Sequence, residues 1–405
     1  MAESNINFIP EGTVTSPEGF YAGAVSAGIK KEKGKLDLGI LFSEVPCKAA
    51  GLFTSNRIKS APVTLCQERL KEGRAVAVVV NSGCANAYTG EQGLADAAEM
   101  ATLAAEGIGV SAGDVLVAST GVTGHPLPME QVRDGISQLI LSRDGGHELS
   151  RAIMTTDTVP KETAVSVRTD GSEFTIGGIA KGSGMIHPDL ATMLCFLATD
   201  AEVDPDFLKS ALVKAADVSL NMISVDRDTS PSDTLLIMAN GLAGKGPVTP
   251  GSYEADVFQQ ALNKVCIHLA RAIARDGEGA TRLIEVTVNG AISVAEAKLA
   301  ARGIVSSTLV KAAVHGGDPN WGRIIAALGQ SGVEMVESKI DLSIGDIDVL
   351  KNGRPLSFSQ RKIVRVLKQS EVPIAVQLNL GTASATAWGC DLSEEYVTIN
   401  SQYTT

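Results

Sequence analysis

A-K-G-S-G-M-I-H-P-D-L-A-T-M-L-C-F-L-A-T-D-A-E-V-D, residues 180–204, is the segment around which fold and chemistry are read. Gly182, Ser183 and Gly184 make a loop able to bend sharply, Pro188 punctuates it, and the chain then reaches Ala191 and Thr192. An uninterrupted apolar run over 193–198 follows, and such a run bounded by turn signals predicts a buried strand. A threonine hydroxyl is thus set at the mouth of a rigid element, where a nucleophile is well held. The same Thr also suits a plain strand start that satisfies a turn.

The whole chain narrows the choices. Its 405 residues, 44% hydrophobic, suffice for more than one sizeable core, and 4% aromatics with 41 glycines predict aliphatic packing and tight turns. Lys+Arg number 35 against 46 Asp+Glu, a net charge of -11, with no basic stripe, which argues against nucleic acid as a partner. The start, Met1 to Asn5, has no signal-peptide character, and no apolar run approaches membrane-spanning length. Cys47, Cys66, Cys84, Cys195, Cys266 and Cys390 show no C-x-x-C pairing, and the five histidines no ligand spacing. The expectation is a soluble, cytoplasmic protein with reduced thiols, no metal and no membrane contact.

Around the central segment, strands are predicted at 36–42, 49–53, 75–80, 115–118, 234–239 and 283–289, with hairpins at 163–167/174–180 and 374–380/384–390. Helices are predicted at 93–109, 129–142, 204–221, 251–275, 293–301, 324–328 and 358–368, and 306–314 reads as extended. Two strands end in small polar residues. N-S-G-C-A-N-A follows the first at 81–87, a usual place for substrate contact. S-T-G-V-T-G follows the second at 119–124, and its glycines suit an oxyanion pocket or, taken alone, more simply a turn. The hydroxyl-rich bend at 154–161 reads as a capped turn, and Glu278 between Gly277 and Gly279 as an exposed carboxylate with either a ligand or solvent over it.

Among competing nucleophiles, Cys84 and Cys195 lack a neighbouring His/Asn signature, no G-x-S-x-G elbow exists, and His187, the histidine nearest Thr192 in sequence, suits a structural turn as well as a base. Threonine has its own route to reactivity. Heading a chain, it uses its α-amine as general base, with a reference pKa of about 7.7–8.0 close enough to neutral for proton transfer. The same hydroxyl can first attack the carbonyl of Ala191 and cut the chain, leaving pieces 1–191 and 192–405, which need not be folding domains.

Eight motifs in order make the sequence resemble the ornithine acetyltransferase (glutamate N-acetyltransferase) family over essentially its full length. They are the two loops above, T-T-D-T-x-P-K at 155–161, A-K-G-S-G-M-I-H-P-D-L-A-T-M-L at 180–194 and R-D-G-E-G-A-T at 275–281. H-G-G-D-P-N-W-G-R at 315–323, W-G-C-D-L at 388–392 and Y-V-x-I-N at 396–400 complete the set. Cys84 and His125 depart from the family pattern at positions that carry no proposed chemistry.

The resemblance implies an α/β protein of layered αββα type that cleaves itself between Ala191 and Thr192. Thr192 is then the nucleophile, Thr120 and Gly121 stabilise the oxyanion, and Thr158, Lys181, Thr192, Glu278, Asn400 and Thr405 hold substrate. It further implies acetyl transfer from N2-acetyl-L-ornithine to L-glutamate through an acetyl-Thr192 ester, in arginine biosynthesis. No resident cofactor is expected. Acetyl-CoA as a second acetyl donor follows from no motif and is expected because much of the family uses it. The partners implied are these small molecules and the chain's own fragments, as two alpha and two beta chains. A rival is an N-terminal-Thr amidohydrolase or aminopeptidase with water as acceptor; a non-enzymatic one is a binding protein for acidic amino acids with Thr192 uncleaved.

Overall fold

The computed structural model describes residues 5–169, 173–187, 193–244 and 246–402. Ala191, Thr192 and Thr405 therefore lie outside the described residues. In chain order the strands are β1 (Asn5–Phe8), β2 (Phe20–Val25), β3 (Leu38–Phe53), β4 (Arg74–Cys84), β5 (Val115–Val122), β6 (Lys161–Arg168), β7 (Glu173–Lys181) and β8 (Leu194–Thr199). They continue as β9 (Ile223–Ser224), β10 (Thr234–Ala239), β11 (Leu283–Ala291), β12 (Asp341–Ile344), β13 (Ile347–Lys351), β14 (Arg354–Pro355), β15 (Glu371–Gln377) and β16 (Ala383–Cys390). The first helices are α1 (Ala61–Arg69), α2 (Gly90–Ile108), α3 (Met129–Ser137), α4 (Gly146–Ala152), α5 (Pro205–Asp217) and α6 (Tyr253–Arg275). Then come α7 (Val294–Val305), α8 (Thr308–Gly316), α9 (Gly322–Gln330), α10 (Gln360–Leu367) and α11 (Glu394–Gln402).

Two mixed sheets organise these elements. A 9-stranded sheet runs β1-β6-β7-β8-β10-β3-β4-β5, with β2 on β3, and a 7-stranded sheet runs β14-β13-β12-β15-β11-β16-β9. The segment over 193–198 explains itself at β8, which lies between β7 and β10 with both faces covered. Cys195 and Leu197 point into one core with Leu208 and Leu212 of α5 and Leu262 and Val265 of α6. Leu194, Phe196 and Ala198 point into the other, with Met100 of α2, Val78 and Val117. A strand buried on both sides needs no polar alternation, and each fully buried Leu or Phe contributes about 1.5–3 kcal/mol.

The layered α/β architecture is the expected one, with one addition: α6 packs on β6 and β7 of the first sheet and on β9, β11 and β16 of the second. The elements predicted on either side of β8 in chain order also form. The hairpin of β6 and β7 pairs Lys161 with Ala180, and Asp204 caps α5 by accepting from the Phe207 N–H at 2.9 Å.

Other expectations are corrected. The two predicted strands at 36–42 and 49–53 are one strand, β3, whose pairing with β4 shifts register between Phe42 and Cys47. A bulge absorbs the polar interruption that read as a turn. The helix predicted at 129–142 ends at Ser137, because Ser142 leaves to pair with Ala22. Residues 306–314 are not extended but form α8: the Ser307 side chain caps it, and Val310, Ala313 and Val314 are buried at helical spacing. β-Branched residues cost a helix little when such a face is covered.

The predicted hairpin of 374–380 and 384–390 does not exist either. Both β15 and β16 pair with β11, which lies between them, the first parallel and the second antiparallel. The link wraps the end of β11, with the Leu380 and Gly381 N–H groups donating to the Gly290 carbonyl at 2.8 and 2.9 Å. Finally, 119–122 is no turn but the end of β5.

Candidate active site

β4 and β5 run parallel and stay paired to their ends, placing Ser82 beside Thr120 and Gly83 beside Gly121. Gly121 has φ +123, and a Cβ on it would lie 2.5 Å from the Gly83 carbonyl carbon. Only glycine allows this approach, so the backbone at Gly121 carries no side chain where it meets a cleft of about 100 Å³. Across the sheet, β7 ends at Lys181, which pairs with Leu194 at the start of β8. Thr120, Gly121, Lys181, Met193, Glu278 and Asn400 all line this cleft. The described chain resumes after the candidate cleavage point with Met193, itself a lining residue.

Lys181 is buried and donates from Nζ to Thr155 Oγ1 at 2.7 Å. Burial pulls its ammonium below the ordinary lysine range, against the opposing carboxylate of Asp157, whose Oδ2 is 4.0 Å away. Asp157 is the hub beneath it. Its carboxylate accepts from Lys161 Nζ at 2.6 Å, from the Gly182 N–H at 2.7 Å and from the Thr155 N–H at 2.9 Å. Burial alone pushes this carboxyl up, but Lys181, Lys161 and the Gly182 N–H outweigh it and hold it well below the usual carboxylate range. Lys161 Nζ also reaches Asp276 at 2.6 Å, and Asp276 accepts from both the backbone N–H and the hydroxyl of Thr158.

Thr158 thus sits on this network, its hydroxyl committed to Asp276, and is not among the cleft-lining residues. Asp157, Lys161 and Asp276 were not singled out from the sequence. Their signal lay in the T-T-D-T-x-P-K and R-D-G-E-G-A-T motifs, which hold all three.

Of the two local readings of Glu278, the solvated turn carboxylate does not hold: it is 7% exposed. Its N–H donates to the Ser183 carbonyl at 2.8 Å, and its Oε2 accepts from Asn400 Nδ2 at 2.7 Å. It rests on Gly184, where a Cβ would come within 2.4 Å of the carboxylate. Gly279, at φ +69, lets α11 pass close by, since a Cβ there would meet the Tyr396 N at 2.6 Å. Asp226 joins the same layers, accepting from the Met185 and Ile186 N–H groups at 2.6 and 2.9 Å and from the Tyr396 hydroxyl at 3.3 Å.

The cleft therefore offers a cationic end, an anionic end and a bare backbone edge between strands. That arrangement holds an amino acid by both charges and presents donors to a carbonyl. The competing nucleophiles are poorly placed. Burial raises the thiols of both Cys84 and Cys195 above the ordinary cysteine value, which leaves little thiolate at neutral pH. His187 Nδ1 lies 3.1 Å from Ser224 Oγ. Among the described residues no group of three or more His, Cys, Asp or Glu is placed to hold a metal, and no helix is long and apolar enough to cross a membrane.

Known proteins show which family the chain belongs to. The chain is 52% identical over 405 residues to an arginine biosynthesis bifunctional protein ArgJ of Dehalococcoides mccartyi, covering 100% of both. It is 52% identical over 397 residues to the protein of that name from Symbiobacterium thermophilum, covering 97% of this chain and 99% of the other. A solved structure of ornithine acetyltransferase complexed with ornithine from Mycobacterium tuberculosis aligns with 47% of this chain and 100% of its own, at 38% identity and TM-score 0.42. The family model described as the ArgJ family matches residues 21–405, and the chain belongs to that family.

Proposed function

We propose that this enzyme, an acyltransferase of arginine biosynthesis, moves an acetyl group from N2-acetyl-L-ornithine to L-glutamate, giving L-ornithine and N-acetyl-L-glutamate. The observation that carries this reading is the full-length match to relatives named for arginine biosynthesis, on a chain whose cleft sets Lys181 and Glu278 against the Thr120–Gly121 edge. Self-cleavage between Ala191 and Thr192 makes two chains, 1–191 and 192–405, and frees the amine of Thr192. These assemble as two alpha and two beta chains in the cytoplasm. The enzyme needs no resident cofactor, and acetyl-CoA serves as a second acetyl donor.

In the first half-reaction the Thr192 oxygen bonds to the acetyl carbon while the Thr192 amine takes the hydroxyl proton. Donors at Thr120 and Gly121 face the developing O⁻, an effect worth about 2.7–4 kcal/mol per donor. The C–N bond then breaks, and the ornithine nitrogen leaves with that proton. In the second, the glutamate amine attacks the ester and Thr192 regains its proton. Lys181 suits the α-carboxylate of each amino acid and Glu278 the ornithine side-chain ammonium. Asn400 and Thr405 complete substrate binding in this scheme, Asn400 through its hold on Glu278, and Thr158 contributes indirectly, through Asp276 and the Lys161–Asp157 network.

Incubation of N-acetylornithine with and without glutamate tests the reading. Acetylglutamate should form in step with ornithine. Acetate released at a rate indifferent to glutamate would indicate transfer to water, as in an N-terminal-Thr amidohydrolase.

A further inference from the structure

A second cavity, of about 420 Å³, opens beside the cleft and shares Gly121 and Thr155 with it. Its size falls in the range of sites for cofactor-sized molecules and exceeds the 100 Å³ cleft, so free amino acids do not account for it. One wall is formed by Gly83, Gly121 and Val122 at the paired ends of β4 and β5. The other carries Lys30, Lys31 and Lys35, with Glu32 the single carboxylate among the lining residues. In a chain of net charge -11, three cations around one small cavity are a local reversal of sign.

The lysine turn is built, not draped. Asp37, with no exposed surface, accepts from the backbone N–H groups of Ala27 at 2.7 Å, Ile29 at 2.7 Å and Lys30 at 2.9 Å. Gly83, at φ +101, lets the turn close down, since a Cβ there would lie 3.2 Å from the Ile29 carbonyl. Lys30 Nζ donates to the Leu36 carbonyl at 2.8 Å and the Ala152 carbonyl at 3.4 Å, which leaves one of its three donors for a ligand. Burial lowers its pKa to about 8, so it stays mostly protonated at neutral pH. Lys31 is exposed, and the Lys35 ammonium makes an exposed contact with Glu32 at 3.3 Å, a kind of pair that exchanges partners readily.

We infer that this cavity binds the phosphate-bearing end of an acyl thioester, with Lys30, Lys31 and Lys35 on the phosphates and the acyl end directed past Gly121 into the neighbouring cleft. A phosphate group wants several point cations, which the lysine wall supplies. The inference rests on the acetyl-transfer reading, and its test keeps the two apart.

The probes are acetyl-CoA, S-acetylpantetheine, which lacks the phosphates, and adenosine 3′,5′-bisphosphate, which lacks the acyl arm. Mature wild-type enzyme should bind acetyl-CoA well above S-acetylpantetheine, and the bisphosphate should compete. The double variant Lys31→Glu/Lys35→Glu should raise the Kd and KM for acetyl-CoA about tenfold or more, with N-acetylornithine-to-glutamate transfer within about twofold of wild type. Lys31→Gln/Lys35→Gln should give a smaller rise in the same direction. An unchanged acetyl-CoA Kd in variants that keep ornithine–glutamate transfer would overturn the inference, as would a bisphosphate that fails to compete. If instead wild-type enzyme moves no acetyl group from N-acetylornithine, the transfer reading falls, while the lysine-dependent Kd still reports on the cavity.

Discussion

Asn400, on the last helix, donates its side-chain amide to Glu278 Oε2 at 2.7 Å across 122 residues of chain. The bond ties the C-terminal end of the protein to the carboxylate that faces the cleft. Asn400→Ala should lower kcat/KM for N-acetylornithine about 10- to 100-fold, the scale of roughly 1.5–3 kcal/mol for a hydrogen bond to a charged group. Asn400→Asp should be worse, because it sets two carboxylates together. Steady-state kinetics decide the matter, and an Asn400→Asp variant as active as wild type would refute the role given to this contact.

Gly121→Ala should cut kcat about 10²–10³-fold, as expected for loss of one oxyanion donor. The added methyl has no room, with the Gly83 carbonyl carbon 2.5 Å away, so β5 must move off β4. Single-turnover formation of the acetyl-enzyme is the measurement. A rate within about twofold of wild type, in protein whose circular dichroism is unchanged, would count against the edge as an oxyanion site.

Asp157→Asn should cost about 3–5 kcal/mol of stability, because it leaves buried Lys161 with one carboxylate where it had two. The pH dependence has a definite sign. The Asp157 carboxyl titrates below its unfolded value of about 3.9, so its contribution is full above that pH and fades as pH falls toward the lower folded value. Urea unfolding at pH 7 and pH 3 should therefore show the gap between wild type and variant shrinking in acid. A gap independent of pH would contradict this assignment.

Asp226→Asn should slow appearance of the two fragments about tenfold or more, since a neutral amide replaces a carboxylate that holds the Met185 and Ile186 N–H groups. These residues lead toward the candidate cleavage point. A time course on denaturing gels follows the fragments, and wild-type timing would remove Asp226 from the maturation step.

Thr192→Ala should leave one 405-residue chain and no transfer activity. Intact mass under denaturing conditions reads the first and the acetylglutamate assay the second. An active enzyme whose Thr192 nitrogen is still in a peptide bond would defeat the N-terminal nucleophile altogether.

Much of this site was legible in the residues. The apolar run after Thr192 became β8 because a strand covered on both faces must be apolar throughout. Lys181, Glu278 and the Thr120–Gly121 pair were singled out by motif, and they line one cleft. Asp157, Lys161 and Asp276 escaped notice, because T-T-D-T-x-P-K reads locally as a capped turn and nothing local says that Lys161 will be sealed between two carboxylates.

By itself, then, the order of residues determined the family, the α/β class and most single elements, because these follow from periodicity, turn chemistry and motif spacing within short windows. Tertiary structure alone decided what those windows do not contain. Insertion of β11 between β15 and β16 depends on partners far apart in the chain, and α8 is helical because a distant core covers its Val310–Val314 face. Closure of the cleft belongs there too: Glu278 is buried under Asn400 only once the chain's last helix has folded back over it.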